Sequence, residues 1–245
     1  MDYKYYAKSN PIETIKEHTD KLLENLEILK KEYGEKITQI IEMPGERFWQ
    51  LMKIICQYHD VGKVFSGFQN AIREKIGEEL IQTKFNNQEI KHEQISPMFV
   101  PYKQYEMTKT ERKLVYQSIY YHHERDNKVH IDRELLEEII KEDIEPNIKK
   151  IEKELQIQIP ELKTTYLGMV EGQARITEDD ELYKEYCLMK GLLHRLDHCS
   201  SAWITVEDET KDEIADFVKE FMKKQDFKEN DLQQFAEKNQ DKNVI

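Results

Sequence analysis

Several features that define common protein classes are scarce in this 245-residue sequence. Its three cysteines, Cys56, Cys187 and Cys199, form no CxxC pair, which argues against both a disulfide framework and a zinc finger. No apolar run approaches the roughly 20 residues that cross a bilayer, and the N-terminus lacks a charged-then-apolar signal pattern. We therefore expect a soluble, cytoplasmic protein that has no membrane partner.

Basic residues and turn-forming residues are also in short supply. Lys and Arg number 37 against 49 Asp and Glu, and the resulting net charge of −12 argues against broad electrostatic binding to nucleic acid. Only 8 Gly and 6 Pro accompany 35% charged and 38% hydrophobic residues. This composition favours long amphipathic helices that few turns separate.

Apolar residues recur at helical spacing along most of the chain. The segments with this pattern are 11–34, 46–59, 65–76, 110–123, 135–155, which Pro146 interrupts, and 182–203, with a further helix starting near His92. Asn10 and Pro11 are predicted as the N-cap and first residue of the first helix. Only short stretches such as 156–159 alternate as strands do. We predict an all-α domain over residues 1–205, followed over 206–245 by a charged helix and a polar tail.

Polar residues that suit metal binding share the apolar faces of these helices. His18 lies on the same predicted face as Ile15 and Leu22, and Asp197 follows Leu193 by four residues. An unpaired buried carboxylate is costly, and a transition-metal ion that binds imidazole and carboxylate together removes that cost. Taken singly, each such residue more often has a structural role than a metal-binding one, and only their ordered combination on successive helices favours a metal site.

The combination resembles the HD superfamily of metal-dependent phosphohydrolases. His59-Asp60-Val61-Gly62-Lys63 is similar to its HD-x-G-K signature. More narrowly, residues 10 to 205 resemble the HD nuclease domain of the CRISPR-associated helicase-nuclease of type I systems, an HD-domain helical bundle. The further pieces of that resemblance, in chain order, are His18, Phe65, Phe68-Gln69, His92-Glu93, Ser96, His122-His123, the run Leu193-His194-Arg195-Leu196-Asp197, and Ser200-Ser201-Ala202.

The resemblance implies two divalent metal ions that share Asp60. One ion would be held by His18, His59, Asp60 and Asp197, and the other by Asp60, His92, His122 and His123. Two cations about 3.5–4 Å apart can clamp a phosphodiester and activate a water. Asp60 and Lys63 are the predicted catalytic residues, with Lys63 neutralising a phosphate oxygen. His-rich ligation favours Mn, Fe, Co or Ni over Mg, which prefers oxygen ligands.

The implied function is cleavage of single-stranded DNA during CRISPR interference, an antiviral defence. The implied partners are a helicase domain or subunit and the CRISPR surveillance complex. No GxxxxGK[ST] phosphate loop occurs, so the helicase motor is not expected within this chain. It is expected either as a separate subunit or as a following domain, and in the second case residues 206–245 would be the linker towards it. A partner is then expected to hold the DNA for so acidic a domain.

Two alternatives stay open. The first is an HD phosphohydrolase acting on nucleotides or cyclic dinucleotides, because His122-His123-Glu124 is similar to the HHE segment of HD-GYP phosphodiesterases. Those enzymes continue into a Gly-Tyr-Pro element, whereas Asn127-Lys128-Val129 follows here. The second is a non-catalytic docking module that histidines or metals brace.

Several polar residues near this set are assigned other roles. Glu93 and Ser96 are interpreted as orienting His92 or its helix, while His130, His194 and His198 are given surface or packing roles. A local basic rim that guides phosphates is a further hypothesis, and its members are Lys109, Arg112, Lys113, Arg125 and Lys128.

Overall fold

The computed structural model describes residues 4–86, 90–123 and 132–202, which form mainly helices. The helices are α1 Ile15–Thr38, α2 Gly45–Tyr58, α3 Ser66–Ile76, α4 His92–Ile95, α5 Lys109–Tyr120, α6 Arg133–Ile139, α7 Ile148–Leu155, α8 Leu167–Val170 and α9 Tyr183–Ala202. The predicted all-α fold is confirmed, with one small addition. Strands β1 (Tyr6–Ser9) and β2 (Ile12–Thr14) form an antiparallel hairpin before α1.

Four helices build the core that positions the site. Helix α1 packs against α2 and α9, and α5 packs against the same two helices. Their apolar faces are fully enclosed, as Leu22, Met52, Leu114 and Leu193 show. Burying each such side chain stabilises the fold by about 1.5–3 kcal/mol. The bundle is therefore held chiefly by the helical stripes that the sequence predicted.

The first helix begins later than its sequence suggested. Asn10 and Pro11 occupy the turn of the hairpin, and the peptide bond between them is cis. The N-cap is Thr14, whose hydroxyl accepts from the backbone N–H of Glu17 at 3.2 Å while the Glu17 carboxylate accepts from the Thr14 N–H at 2.8 Å. This capping box satisfies two backbone donors at once. The predicted cap at Asn10 is therefore wrong, and α1 runs on to Thr38.

Buried glutamines attach irregular segments to the bundle. The Gln69 side chain accepts from the Tyr6 N–H at 2.9 Å and donates to the Tyr6 and Lys63 carbonyls at 2.9 and 2.7 Å, which fixes β1 against α3. Gln117 of α5 donates to the carbonyls of Met169 and Ala174, both at 2.7 Å. Buried polar groups stay in the fold because such bonds satisfy them.

The predicted helix or helix pair over 135–155 is broken at two points. Between α6 and α7 lie a π-helical turn, Ile140–Ile144, and a 3-10 turn, Glu145–Asn147, which contains Pro146. Asp143 in the π turn accepts from the Ser66 N–H at 2.8 Å and so caps the start of α3. Residues 157–160 form no strand, so the strand-like reading of 156–159 is wrong.

The structure also bears on the cysteines, on membrane-crossing helices and on the domain boundary. Among the described residues, Cys56, Cys187 and Cys199 take part in no disulfide bond. Among the described helices, none has the length and apolar character that crossing a membrane requires. The chain divides into two units, residues 1–203 and 204–245, and every described residue belongs to the first. The predicted linker over 206–245 lies outside the described residues and stays a prediction.

Candidate metal centre

Five elements bring the predicted site residues together at one end of the four-helix core. His18 lies on α1 one turn after its start, and His59 and Asp60 directly follow α2. His92 is the first residue of α4, and His122 directly follows Tyr121, the C-cap of α5, while Asp197 lies on α9. His18, His59, Asp60 and His122 are at most 3% exposed. The expectation that His18 faces inward is therefore confirmed.

A close backbone contact explains the glycine of the HD-x-G-K motif. The turn Val61–Val64 lies so near the start of α4 that a Cβ on Gly62 would be 2.1 Å from the His92 carbonyl oxygen. Ser96 joins the two segments, since its hydroxyl accepts from the Gly62 N–H and donates to the His92 carbonyl, each at 2.9 Å. Gly62 and Ser96 thus set the distance between Asp60 and His92. This agrees with the interpretation of Ser96 as an orienting residue.

The site contains two groups of potential ligand atoms that share Asp60. In one group Asp60 meets His92, His122 and His123, and in the other it meets His18 and His59. Within each group the ligand atoms lie within 4.8 Å of one another. Asp60 Oδ1 is 3.1 Å from His92 Nε2, and Asp60 Oδ2 is 3.6 and 3.7 Å from the Nε2 atoms of His59 and His18. The Asp60 carboxylate therefore faces one group with each oxygen.

Asp197 adjoins the second of these groups through His18. Asp197 Oδ1 lies 3.0 Å from His18 Nε2, and its side chain is 14% exposed. The contact places Asp197 at the rim of the group formed by His18, His59 and Asp60. Asp197 is far from His59 and Asp60 in sequence, but it lies near them in the fold because α1 packs against both α2 and α9.

The chemistry of these atoms fits divalent metal ions. Backbone carbonyls engage the Nδ1 atoms of two rings, with Cys56 O at 2.9 Å from His59 Nδ1 and Ile119 O at 2.6 Å from His122 Nδ1. This leaves the Nε2 atoms of His59, His92 and His122 and the Oδ1 atom of Asp60 buried without a well-aligned hydrogen bond, even though His92 Nε2 and Asp60 Oδ1 lie 3.1 Å apart. Such orphaned atoms are rare in native proteins, and convergent imidazole and carboxylate atoms suit transition-metal ions.

Comparison with known families agrees with this geometry. The family model "Cas3, HD domain" matches residues 20–237. The chain belongs to the Cas3 HD-domain family. A solved structure, the CRISPR-associated Cas3 HD domain protein MJ0384 from Methanocaldococcus jannaschii, is similar over 79% of this chain and 98% of its own, with 18% identity and a TM-score of 0.44. No curated protein matches the sequence. Family membership makes the chain a CRISPR-associated HD hydrolase in general terms, of a kind that depends on divalent metals.

Protonation states in this Cas3 HD-domain protein also suit metal binding. Burial opposes the charged form of Asp60, but Lys63, His59 and His92 outweigh it and hold the pKa of Asp60 well below its usual range. Burial lowers the pKa of His92 to about 4 in spite of the Asp60 carboxylate. Burial and the neighbouring rings also hold the pKa of His122 well below its usual range. At neutral pH the carboxylate is ionised and these two rings are neutral, as metal ligands must be.

Lys63 closes the site beside Asp60. Its ammonium Nζ donates to Asp60 Oδ2 at 2.6 Å and lies 5.7 Å from the centre of the Phe68 ring, and its side chain is 14% exposed. Its backbone carbonyl accepts from Gln69, which fixes the start of the side chain. Lys63 therefore places a cation at the border between the buried carboxylate and solvent.

Other residues named from the sequence lie apart from the two groups. His194 and His198 are exposed on α9, with ring centroids 4.2 Å apart. In the hypothetical basic rim, Lys113 pairs with Asp180 at 2.8 Å and Arg112 lies over the Tyr102 ring. Arg125, Lys128 and His130 lie outside the described residues. The phosphate-guiding rim stays a hypothesis.

A cavity of about 330 Å³ lies away from the site, between Tyr102, Tyr116 and Tyr166, and none of the predicted site residues lines it.

Glu13 was not predicted from the sequence as a site residue, although its carboxylate lies 3.5 Å from His18 Nδ1. Its position in a strand of three residues gave no periodic signal that could have marked it as buried.

Proposed function

We propose that this protein is a two-metal nuclease that cleaves phosphodiester bonds of single-stranded DNA during CRISPR interference. The observation that carries the proposal is the sharing of buried Asp60 between two groups of ligand atoms. A dinuclear site is the arrangement that phosphodiester-cleaving metalloenzymes use to act on both the attacking and leaving oxygens. Membership in the Cas3 HD-domain family supports the CRISPR context.

The residues divide the metal ligation between them. His18, His59 and Asp197 would hold one ion, His92, His122 and His123 the other, and Asp60 would bind both. The bound ions would supply Lewis acidity to the phosphodiester and lower the pKa of a water. Because imidazole dominates this ligand set, we expect Mn, Fe, Co or Ni to bind better than Mg.

Lys63 supplies the protein's own positive charge to the reaction. In the structure its ammonium is held by Asp60 Oδ2 at 2.6 Å, and its partly exposed side chain borders the site. We propose that a substrate phosphate takes this ammonium from Asp60 and that Lys63 then stabilises the charge that builds on a non-bridging oxygen. A donor placed in this way stabilises a transition state by about 3 kcal/mol in comparable sites.

We infer both the single-stranded substrate and the partners from the family resemblance. We propose that a helicase domain or subunit delivers the strand and that the CRISPR surveillance complex recruits the enzyme in the cytoplasm. The net charge of −12 supports this division of labour, since a chain so acidic needs a partner to hold DNA.

The test is a comparison of substrates and metals. Purified protein is incubated with single-stranded DNA, double-stranded DNA, nucleotides and cyclic dinucleotides, each with Mn, Ni, Co, Mg or a chelator. We expect cleavage of single-stranded DNA that needs a transition metal and that is lost in Asp60→Ala. His194→Ala is the matched control, because this histidine is exposed and lies in neither ligand group.

Three results would contradict the proposal in different ways. Undiminished DNA cleavage by Asp60→Ala would remove the two-metal mechanism. Metal-dependent turnover of cyclic dinucleotides with intact DNA would point to a nucleotide phosphohydrolase. Metal binding without turnover of any substrate would point to a docking module.

A further inference from the structure

The four buried histidine rings of the site are oriented by acceptors of two kinds. His59 and His122 face backbone carbonyls through Nδ1, and these acceptors stay in place whatever side chains Cys56 and Ile119 carry. His18 and His92 face carboxylates instead, with Glu13 Oε2 at 3.5 Å from His18 Nδ1 and Glu93 Oε2 at 3.3 Å from His92 Nδ1. Each ligand group therefore contains one ring that lies against a carboxylate.

The surroundings of Glu13 show that its carboxylate is built into the fold. Its side chain is 1% exposed, and its two oxygens lie 2.5 Å from Lys21 Nζ and 2.6 Å from Lys8 Nζ. Burial opposes its charge, but these two lysines outweigh burial and keep the pKa of Glu13 below its usual range. Glu13 is thus an ionised carboxylate at the back of the His18 ring.

Each ring nitrogen of His18 lies near a carboxylate, with Nε2 at 3.0 Å from Asp197 Oδ1 and Nδ1 at 3.5 Å from Glu13 Oε2. Glu13 Oε2 already pairs with Lys8 Nζ at 2.6 Å, whereas His18 Nδ1, which faces it, is buried without a hydrogen-bond partner at the present separation. A shift of about half an ångström brings them to hydrogen-bond distance, with Nδ1–H as the donor. In the metal-free protein the hydrogen bond to Asp197 Oδ1 needs the proton on Nε2. A metal ion at Nε2 would shift the proton to Nδ1, from which it would be donated to Glu13. Hydrogen bonds at metal sites commonly tighten in this way on binding.

Glu93 has the same relation to the other group. It directly follows His92 in α4 and is 4% exposed, and its carboxylate lies beside Nδ1 while Nε2 faces Asp60 Oδ1. Glu93 is on α4, whereas Glu13 is on β2, so the two carboxylates reach the site from two separate segments of the chain.

We propose that Glu13 and Glu93 are positioning residues, each of which orients one histidine and so tunes one of the two metal ions independently of the other. Glu13 acts on the ion held by His18 and His59, and Glu93 acts on the ion held by His92, His122 and His123. A carboxylate behind a ligand histidine fixes its tautomer and raises its basicity, and its loss weakens metal binding about 10–100-fold. The inference rests on the proposed two-metal function.

The experiment compares Glu13→Gln and Glu93→Gln, with Glu24→Gln on the exposed face of α1 as the matched control. Zn²⁺, which is diamagnetic, is titrated into metal-free protein by calorimetry, and the histidine ring nitrogens are followed by NMR. We expect Glu13→Gln to weaken one of two binding steps about 10–100-fold, with the His18 and His59 signals affected. Glu93→Gln should weaken the other step and affect His92 and His122, and Glu24→Gln should match the parent.

The NMR spectrum of the metal-free protein gives a readout that does not depend on metal. The proposal expects Glu13→Ala to lower the share of His18 rings that are protonated on Nδ1 relative to the parent, and expects Glu13→Gln to lower it less. A purely structural role would lower the free energy of unfolding without changing this tautomer.

The outcomes separate this inference from the proposed function. If two ions bind but both variants weaken both steps alike, or neither step, the inference is overturned while the two-metal function stands. If the parent binds a single ion, the two-metal function fails, and the division of labour between Glu13 and Glu93 fails with it. A share of Nδ1-protonated His18 that is the same in the parent and in Glu13→Ala overturns the role of Glu13 whatever the number of ions.

Discussion

Gly62→Ala is the substitution for which the structure gives the sharpest expectation. The added Cβ would lie 2.1 Å from the His92 carbonyl oxygen, 2.8 Å from Ser96 Oγ and 2.9 Å from Ser96 N. Two of these three atoms, the His92 oxygen and the Ser96 nitrogen, belong to the backbone. Rotation of a side chain therefore cannot relieve all three contacts. The turn Val61–Val64 and α4 must separate by about 1 Å, since carbon contacts below 3.0 Å essentially do not occur.

The energetic cost of this separation has two parts. Overpacking of a closed core costs about 1–3 kcal/mol, and the weakened hydrogen bond from Gly62 N–H to Ser96 Oγ adds about 1 kcal/mol. We expect the free energy of unfolding, measured in urea, to fall by about 3 kcal/mol. His92 moves away from Asp60 with α4, and a misplacement of about 1 Å can cost a factor of ~100 in rate.

Gly191→Ala in α9 is the matched control, because nothing lies within 4 Å of the Cβ that it adds. Replacing a glycine inside a helix by alanine stabilises by about 0.5–1 kcal/mol, so the same chemical change should have the opposite sign there. Urea unfolding, calorimetric titration with Mn²⁺ and DNA cleavage are measured for both variants. A Gly62→Ala protein with the stability and the metal affinity of the parent would refute the contact as the reason for this glycine.

Two further substitutions test the local structure. Thr14→Ala should lower the free energy of unfolding by about 1 kcal/mol because it removes the cap of α1. Asn10→Ala should change it by less than about 0.5 kcal/mol. Equal effects of the two substitutions in thermal unfolding would contradict the assigned cap. The pKa of Glu111 is lowered to about 2 by its hydrogen bond from Arg47, so this pair stabilises the fold above about pH 4.5, and the contribution is lost as pH falls towards 2. Glu111→Gln should therefore be less stable than the parent by about 1 kcal/mol at pH 7 and equally stable near pH 2; a difference in unfolding free energy that is constant with pH would contradict this origin.

The long helices could be predicted from the sequence because each buries a continuous apolar stripe. The predicted segments 46–59, 65–76, 110–123 and 182–203 differ from α2, α3, α5 and α9 by at most three residues at either end. Periodicity of 3.6 residues is a local property, so no knowledge of the partner helices is needed. The fold class followed from the same signal.

The hairpin could not be predicted, because its strands of four and three residues are too short for an alternating pattern. Its first strand is held by the Gln69 side chain, which is 63 residues away in sequence. Asn10 and Pro11 carry the signature of a helix start, yet they form the turn of the hairpin. Thr14, at the end of β2, caps the helix instead. Tertiary contacts decided between two local signals.

The site residues came from ordered motifs rather than from the periodicity of the helices. The inward face of His18 followed from its spacing to Ile15 and Leu22, whereas His92 begins a helix of only one turn and has no periodic context. The contact between Gly62 and α4 and the carboxylate of Glu13 behind His18 arise only when distant segments pack. The structure places the other six predicted ligands around Asp60, and the roles of all seven as ligands stay a prediction.

The central claim is that Asp60 binds two metal ions at once, and crystals grown with Mn²⁺ test it most directly. Anomalous diffraction should show two peaks, one on each side of the Asp60 carboxylate and about 3.5–4 Å apart. One peak should adjoin His18 and His59, and the other His92 and His122. A single peak at full Mn²⁺ saturation, or two peaks of which only one contacts Asp60, would contradict the account.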